Sequence, residues 1–148
     1  MNLKQTLVIF SFVLLSNLTA AQQTGNYKNF TVSVYARAYE VREMGNLDKL
    51  EATWKTINQQ LKVDKIYLET HRDKIIVDDK TLETAKKFFL SHGVTVAGGI
   101  TYTMDERNHY ETFCYSNPGH RQQAKEIAEL TAKHFDEFIL DDFFFSGK

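Results

Sequence analysis

The sequence predicts an α/β protein built on a parallel sheet, and three observations predict it. Four short β-rich segments alternate with three amphipathic helical segments. No hairpin signal joins consecutive strands. The last strand is an apolar run, Phe138-Ile139-Leu140, that ends on Asp141-Asp142 and three phenylalanines. Acids beside so much apolar surface are costly to keep, which points to a task for them.

A targeting segment precedes the first strand. Met1-Asn2-Leu3-Lys4 carries one positive charge, residues 7–15 form an apolar h-region, and Thr19-Ala20-Ala21 offers small residues for cleavage after Ala21. The apolar run is shorter than the roughly 20 residues a spanning helix needs. No cysteine follows it to carry a lipid. The reading is a signal peptide over residues 1–21, a mature domain over 22–148 and a secreted or periplasmic protein, with no stable membrane insertion after cleavage.

Residues 30–36 alternate with period two and make the first strand. Residues 46–62 carry Leu47, Leu50, Trp54, Ile57 and Leu61 at helical spacing, with Gly45 or Asn46 at the N-cap. Residues 65–70 form the second strand. Residues 79–92 form the second helix, capped by Asp79, with Leu82, Ala85, Phe88 and Phe89 inward and Gly93 at the C′ position. Residues 94–102 open on Val-Thr-Val and are loosened by Gly98-Gly99. Asn117-Pro118 starts the third helix, which runs to about 134 with Ala124, Ile127, Ala128 and Thr131 on one side. Residues 137–142 are the fourth strand.

Strand starts near 30, 65, 94 and 137 match the repeat of a (β/α)8 barrel, which takes about 250 residues in full. The expected fold is therefore the first half, about four β/α units, of a TIM barrel. The competing architecture, a small doubly wound flavodoxin-like sheet, needs a helix after the last strand, and residues 143–148 do not supply one.

Charge is balanced, 18 Lys+Arg against 19 Asp+Glu, with no basic stripe, so nucleic acid is not an expected partner. The single cysteine, Cys114, forbids an internal disulfide and reads as a small packed thiol. Aromatic residues make up 13% of the chain, and several fall at strand ends, where flat rings can stack on sugar faces.

Strand alternation gives the candidate site. Ser33, Tyr35 and Arg37 share one face of the first strand, Tyr67, Glu69 and His71 one face of the second, and Ile139 and Asp141 one face of the fourth. Arg37, Glu69, His71 and Asp141 then meet at one rim, with Arg37 and Glu69 placed to pair across neighbouring strands. Tyr35, Tyr67, Tyr102 and Tyr115 are candidate walls.

Other chemistries lack their motifs. The first strand has no His-x-His, and Glu69 with His71 gives two metal ligands without a third. No G-x-S-x-G elbow is present, and Gly98-Gly99 belongs to no phosphate loop. No cofactor is implied. Glycoside hydrolysis needs two carboxyl groups. Asp141 and Asp142 are neighbours that point to opposite faces, so Asp141 takes one role and the second carboxylate belongs to a later strand. Asp142 then orients a substrate hydroxyl or a partner residue.

The stretch Phe135-Asp136-Glu137-Phe138-Ile139-Leu140-Asp141-Asp142-Phe143-Phe144-Phe145 resembles the strand-four signature of barrel glycosidase-like families, particularly the DUF187-type set. It is also similar in kind to the α-galactosidase clan, whose nucleophilic aspartate ends strand four. The resemblance implies that Asp141 is the nucleophile or charge stabiliser. The reading of the strand ends adds Asp142, Glu69, Arg37 and His71 as expected binders of an oligo- or polysaccharide substrate. Glu137 and Phe138 depart from the small glycine usual before such strands. The chain by itself is expected to be inactive or nearly so. The rival expectation is a non-catalytic sugar-binding or interaction module on the same scaffold.

Overall fold

The computed structural model describes residues 27–141. The targeting segment predicted over residues 1–21, Asp142 and the three phenylalanines lie outside the described residues. The elements are β1 (Ser33–Ala36), α1 (Ala38–Glu43), α2 (Leu47–Asn58), β2 (Lys65–Arg72), β3 (Ile75–Ile76), α3 (Asp79–Ser91), β4 (Thr95–Ile100), β5 (Thr103–Asp105), β6 (Glu111–Thr112), α4 (Pro118–His134) and β7 (Phe138–Leu140).

The main sheet has the order β1-β2-β4-β7, and all three pairings along that path are parallel. The fold is thus mixed α/β with a mostly parallel sheet, as its alternating pattern predicts. The register aligns Tyr35 with Tyr67 and Ala97, and Glu69 with Gly99 and Ile139. Residues in one such row share a face, so the two faces of the sheet can be told apart.

The helices α2, α3 and α4 all pack on the face that carries Val34, Ile66, Leu68, Thr70 and Ile100. One core joins Leu50 and Trp54 of α2 and Leu82, Ala85 and Phe89 of α3 to Ile66 and Leu68. A second joins Ala124 and Ile127 of α4 to Ile100, Tyr102 and Phe113. Thr131 of α4 bonds Thr70 at 2.6 Å, hydroxyl to hydroxyl. The opposite face, with Tyr35, Tyr67, Gly99 and Ile139, carries none of these helices.

Sequence signals place the helix starts well. Asn46 accepts from the Lys49 amide at 3.1 Å, and Asn117 accepts from Gly119 and His120 ahead of Pro118 at the first turn. The cap of α3 is Asp78, not Asp79: Asp78 accepts from Thr81 N at 2.9 Å, while Asp79 turns to His134 and Lys133 of α4. Gly93 has φ +74, the left-handed conformation that closes a helix.

Three features depart from the expected pattern. The six-residue α1 follows β1 directly, because Ala38 and Val41, three apart, both bury at 0% exposure. A tight hairpin joins β2 to β3 through Asp73, which holds φ 54. A small antiparallel pair, β5 with β6, follows β4, so hairpins are present after all. Helix α2 also stops at Asn58, short of 62, and leaves Leu47 and Ile57 of its predicted stripe exposed.

Candidate functional site

All four parallel strands end on the same side of the sheet, and polar residues collect there. At the centre is Arg72, the last residue of β2 and only 7% exposed. Its Nε donates to Glu69 Oε2 at 2.9 Å and its Nη2 to Glu69 Oε1 at 3.0 Å. Nη2 also lies 3.0 Å from Thr101 Oγ1 and 3.0 Å from Asp141 Oδ2, and Nη1 binds Glu106. Burial opposes the charge on Arg72, yet Glu69 and Glu106 hold its pKa above the ordinary arginine value.

Glu69 is fully enclosed. Besides Arg72 it accepts from Tyr35 Oη at 2.8 Å, from the Ala38 amide at 2.6 Å and from the Thr101 hydroxyl. With no exposed surface, it orients its neighbours rather than facing solvent. Burial, then the charge of Glu69, pushes the Tyr35 phenol well above its usual range, which keeps it a donor.

Asp141 sits just past the end of β7, its backbone amide tied to Ile100 O at 2.9 Å. Its side chain is 38% exposed, the most open of the carboxyl groups on Arg72. Both of its bonds to the cluster use Oδ2, to Arg72 and, at 3.1 Å, to Thr101.

A β-bulge explains why Arg72 is there. Glu69 pairs with Gly99 but His71 with Ile100, so three residues of β2 span two of β4. The extra residue turns Thr70 and His71 both to the helix face and returns Arg72 to the face of Glu69. His71 Nδ1 donates to Thr101 O at 2.7 Å, and its ring packs on Phe113. A cavity of about 540 Å³ beside it is lined by Phe113, Met104 and Ile127 among others.

Of the four residues expected at one rim, the structure brings together Glu69 and Asp141, and it adds Tyr35 from the expected walls. Tyr67 stacks on Tyr35 with ring centroids 6.4 Å apart, while Lys65 lies over the Tyr67 ring and pairs with Glu137 at 2.6 Å. Arg37 does not pair with Glu69. Its exposed side chain binds Glu40 at 2.5 Å, because Arg37 caps α1 and the chain has already left the sheet. Tyr102 and Tyr115 lie with His71 on the helix side, Tyr102 donating to Ala124 O at 3.1 Å. Asp142 is outside the described residues.

Thr101, Arg72 and Glu106 are the members that strand alternation missed. Glu106 is held by its own amide, which donates to Asp73 Oδ1 at 3.0 Å. Asp73 also accepts from Tyr39, whose phenol is raised to about 12 chiefly by that hydrogen bond. Among the described residues no cluster of three or more His, Cys, Asp or Glu could hold a metal ion.

The two strand glycines make room on opposite faces. A Cβ on Gly99 would fall 2.6 Å from the Tyr35 hydroxyl, and one on Gly98 would fall 2.8 Å from both Phe135 and Thr131. Gly99→Ala is expected to push Tyr35 off Glu69 and cost about 1–3 kcal/mol, read as a lower urea midpoint. Tyr35→Phe on that background should then cost little more.

Burial lowers the His71 pKa below its ordinary 6.5, so the unfolded chain takes up this proton first. Its contribution is complete above about 6.5 and declines as pH falls through that value. His71→Gln should flatten the fall in melting temperature between neutral and mildly acidic pH, while an unchanged slope would mean that another group sets it.

In parallel α/β domains active sites sit at the C-terminal ends of the strands, which is where these carboxyl groups gather. The chain matches the family described as "Probable glycosyl hydrolase, catalytic domain" over residues 19–148, and it belongs to that family. It is also similar to an uncharacterized protein of Saccharolobus solfataricus, 33% identical over 125 residues. That match takes in 78% of this chain and 20% of the relative, so the chain spans about a fifth of that protein's length. No solved structure matches the chain.

Proposed function

We propose that this chain is the first half of a (β/α)8 glycoside hydrolase catalytic domain, exported, in which Asp141 acts at the anomeric carbon as nucleophile or charge stabiliser. The observation that carries the reading is the position of Asp141. It stands just past the C-terminal end of β7, half-buried, on the sheet face opposite α2, α3 and α4 among the described residues. Sequential strand order with helices on one face suits a sheet that closes on itself, whereas a doubly wound sheet needs helices on both. The membership in a glycosyl hydrolase family supports a carbohydrate substrate. The likeness of residues 135–145 to the strand-four signature of the DUF187-type and α-galactosidase-like families supports the role of Asp141.

In this reading the second carboxyl group comes from a later strand, since Glu69 is sealed from solvent. Asp142 orients a sugar hydroxyl, and the Tyr35–Tyr67 stack lines the floor beneath the sugar. The full-length protein should release 4-nitrophenol from at least one member of a panel of 4-nitrophenyl glycosides. Binding of oligosaccharides by calorimetry with no hydrolysis of any panel member would instead establish the sugar-binding module.

A further inference from the structure

We propose that Arg72, locked from behind by Glu69, is the positioning residue that decides which oxygen of Asp141 meets the sugar, holding Oδ2 and leaving Oδ1 to the anomeric carbon. The inference rests on the reading of Asp141 given above.

Three observations carry it. First, Arg72 is not available to a substrate: it is 7% exposed, and Nε, Nη1 and Nη2 all bind protein groups. Second, its plane is fixed before Asp141 is reached, because Glu69 takes Nε and Nη2 in a two-point grip at 2.9 and 3.0 Å. A guanidinium held this way presents its remaining donor in one direction, which a lysine ammonium on a flexible stem does not. Third, the two bonds on Asp141, from Nη2 at 3.0 Å and from Thr101 Oγ1 at 3.1 Å, converge on Oδ2. No described residue donates to Oδ1.

The carboxyl plane of Asp141 therefore cannot exchange its oxygens without breaking the Arg72 bond, and the Thr101 bond too when that hydroxyl proton points to Asp141 rather than to Glu69. The cluster also tolerates what the reaction does to Asp141. Arg72 faces three carboxyl groups, so neutralising Asp141 still leaves Glu69 and Glu106 opposite the buried cation. A lone Arg–Asp pair would leave that cation uncompensated at the same moment. Thr101 has one hydroxyl proton and two acceptors in reach, Glu69 and Asp141, so it can follow the charge.

The test uses the full-length protein and the 4-nitrophenyl glycoside that it turns over best. Arg72→Ala should lower kcat by about 100-fold with KM changed less than about threefold, since misplacement rather than lost binding is the defect. Millimolar guanidinium chloride should restore part of that kcat, and Arg72→Lys should fall between Arg72→Ala and the wild type. Circular dichroism melts identify the folded variants. If Arg72→Ala does not fold, Arg72→Lys and Thr101→Val carry the test, each with a lower kcat at near-constant KM. A folded Arg72 variant with the wild-type kcat, or a loss confined to KM, overturns the proposal. Asp141→Asn separates the two readings: if it keeps turnover the role of Asp141 itself is wrong, and if it is inactive while Arg72→Lys is unimpaired only the positioning role is lost.

Discussion

Asp141→Asn is expected to lower glycoside turnover by between about 10⁴- and 10⁶-fold, the range found when a reacting group is removed from a working site. The melting temperature should hardly move. The reason for both lies in the hydrogen bonds on Oδ2. Arg72 Nη2 and Thr101 Oγ1 surround that atom, so an asparagine must place its carbonyl oxygen there and its NH₂ at the position of Oδ1. The network thus sets the amide in the one orientation that offers no lone pair to the anomeric carbon. Stability changes little because the side chain is partly exposed and Arg72 keeps Glu69 and Glu106. A partly exposed pair is worth about 1 kcal/mol or less. The measurement is kcat/KM on the best aryl glycoside beside a thermal melt of the same preparations. A loss under about tenfold would take Asp141 out of the chemistry, and a large loss with a collapsed melt would make its role structural.

Most of the fold was legible because its helices are amphipathic at regular spacing and begin on residues that cap. Leu82, Ala85 and Phe89 turn inward on α3, and Ala124, Ile127 and Thr131 on α4, as the 3.6 period requires. The short elements were not legible. Helix α1 has no side-chain cap and only two buried residues, so Arg37 reads as a continuation of the strand face of Ser33 and Tyr35 past β1. The hairpin at Asp73 depends on a positive φ at a residue type that tolerates it without demanding it.

The site was legible where the strand period held and lost where it broke. Tyr35 and Asp141 follow simple alternation on β1 and on the strand that ends the sheet, and both reach the cluster. On β2 the same rule puts His71 beside Glu69, and the bulge after Glu69 replaces it with Arg72. One inserted residue exchanges a neutral imidazole for a permanent cation, and with it a two-ligand metal hint for an ion-pair network. A single sequence offers no mark for that bulge, since Glu-Thr-His-Arg carries neither glycine nor proline. Arg37 was misplaced for the related reason that the chain leaves the sheet at the first residue after β1.

Glu69→Ala is expected to be the most destabilising of the polar substitutions, by about 3–5 kcal/mol. It is wholly buried and gathers donors from three elements and a connection: Tyr35 of β1, the first amide of α1, Arg72 of its own strand and Thr101 just after β4. Removal leaves the Arg72 cation facing a void on its buried side, and leaves the Ala38 amide and Tyr35 phenol without their acceptor. Each kcal/mol shifts the melting temperature of a domain this size by several degrees, so a drop of about 10 °C or more is expected. Glu69→Gln isolates charge from volume. It fits the space, but its NH₂ must confront donors whichever way it turns, because both oxygens of Glu69 are acceptors only. The double change Glu69→Gln with Arg72→Met also removes the cation that has lost its two-point partner and keeps only Glu106 and Asp141. It should therefore cost less than the two single changes added together, by about 1–3 kcal/mol of coupling. Additive losses in a urea cycle would mean that the two side chains contribute independently, and that the bulge on β2 is held by the backbone instead.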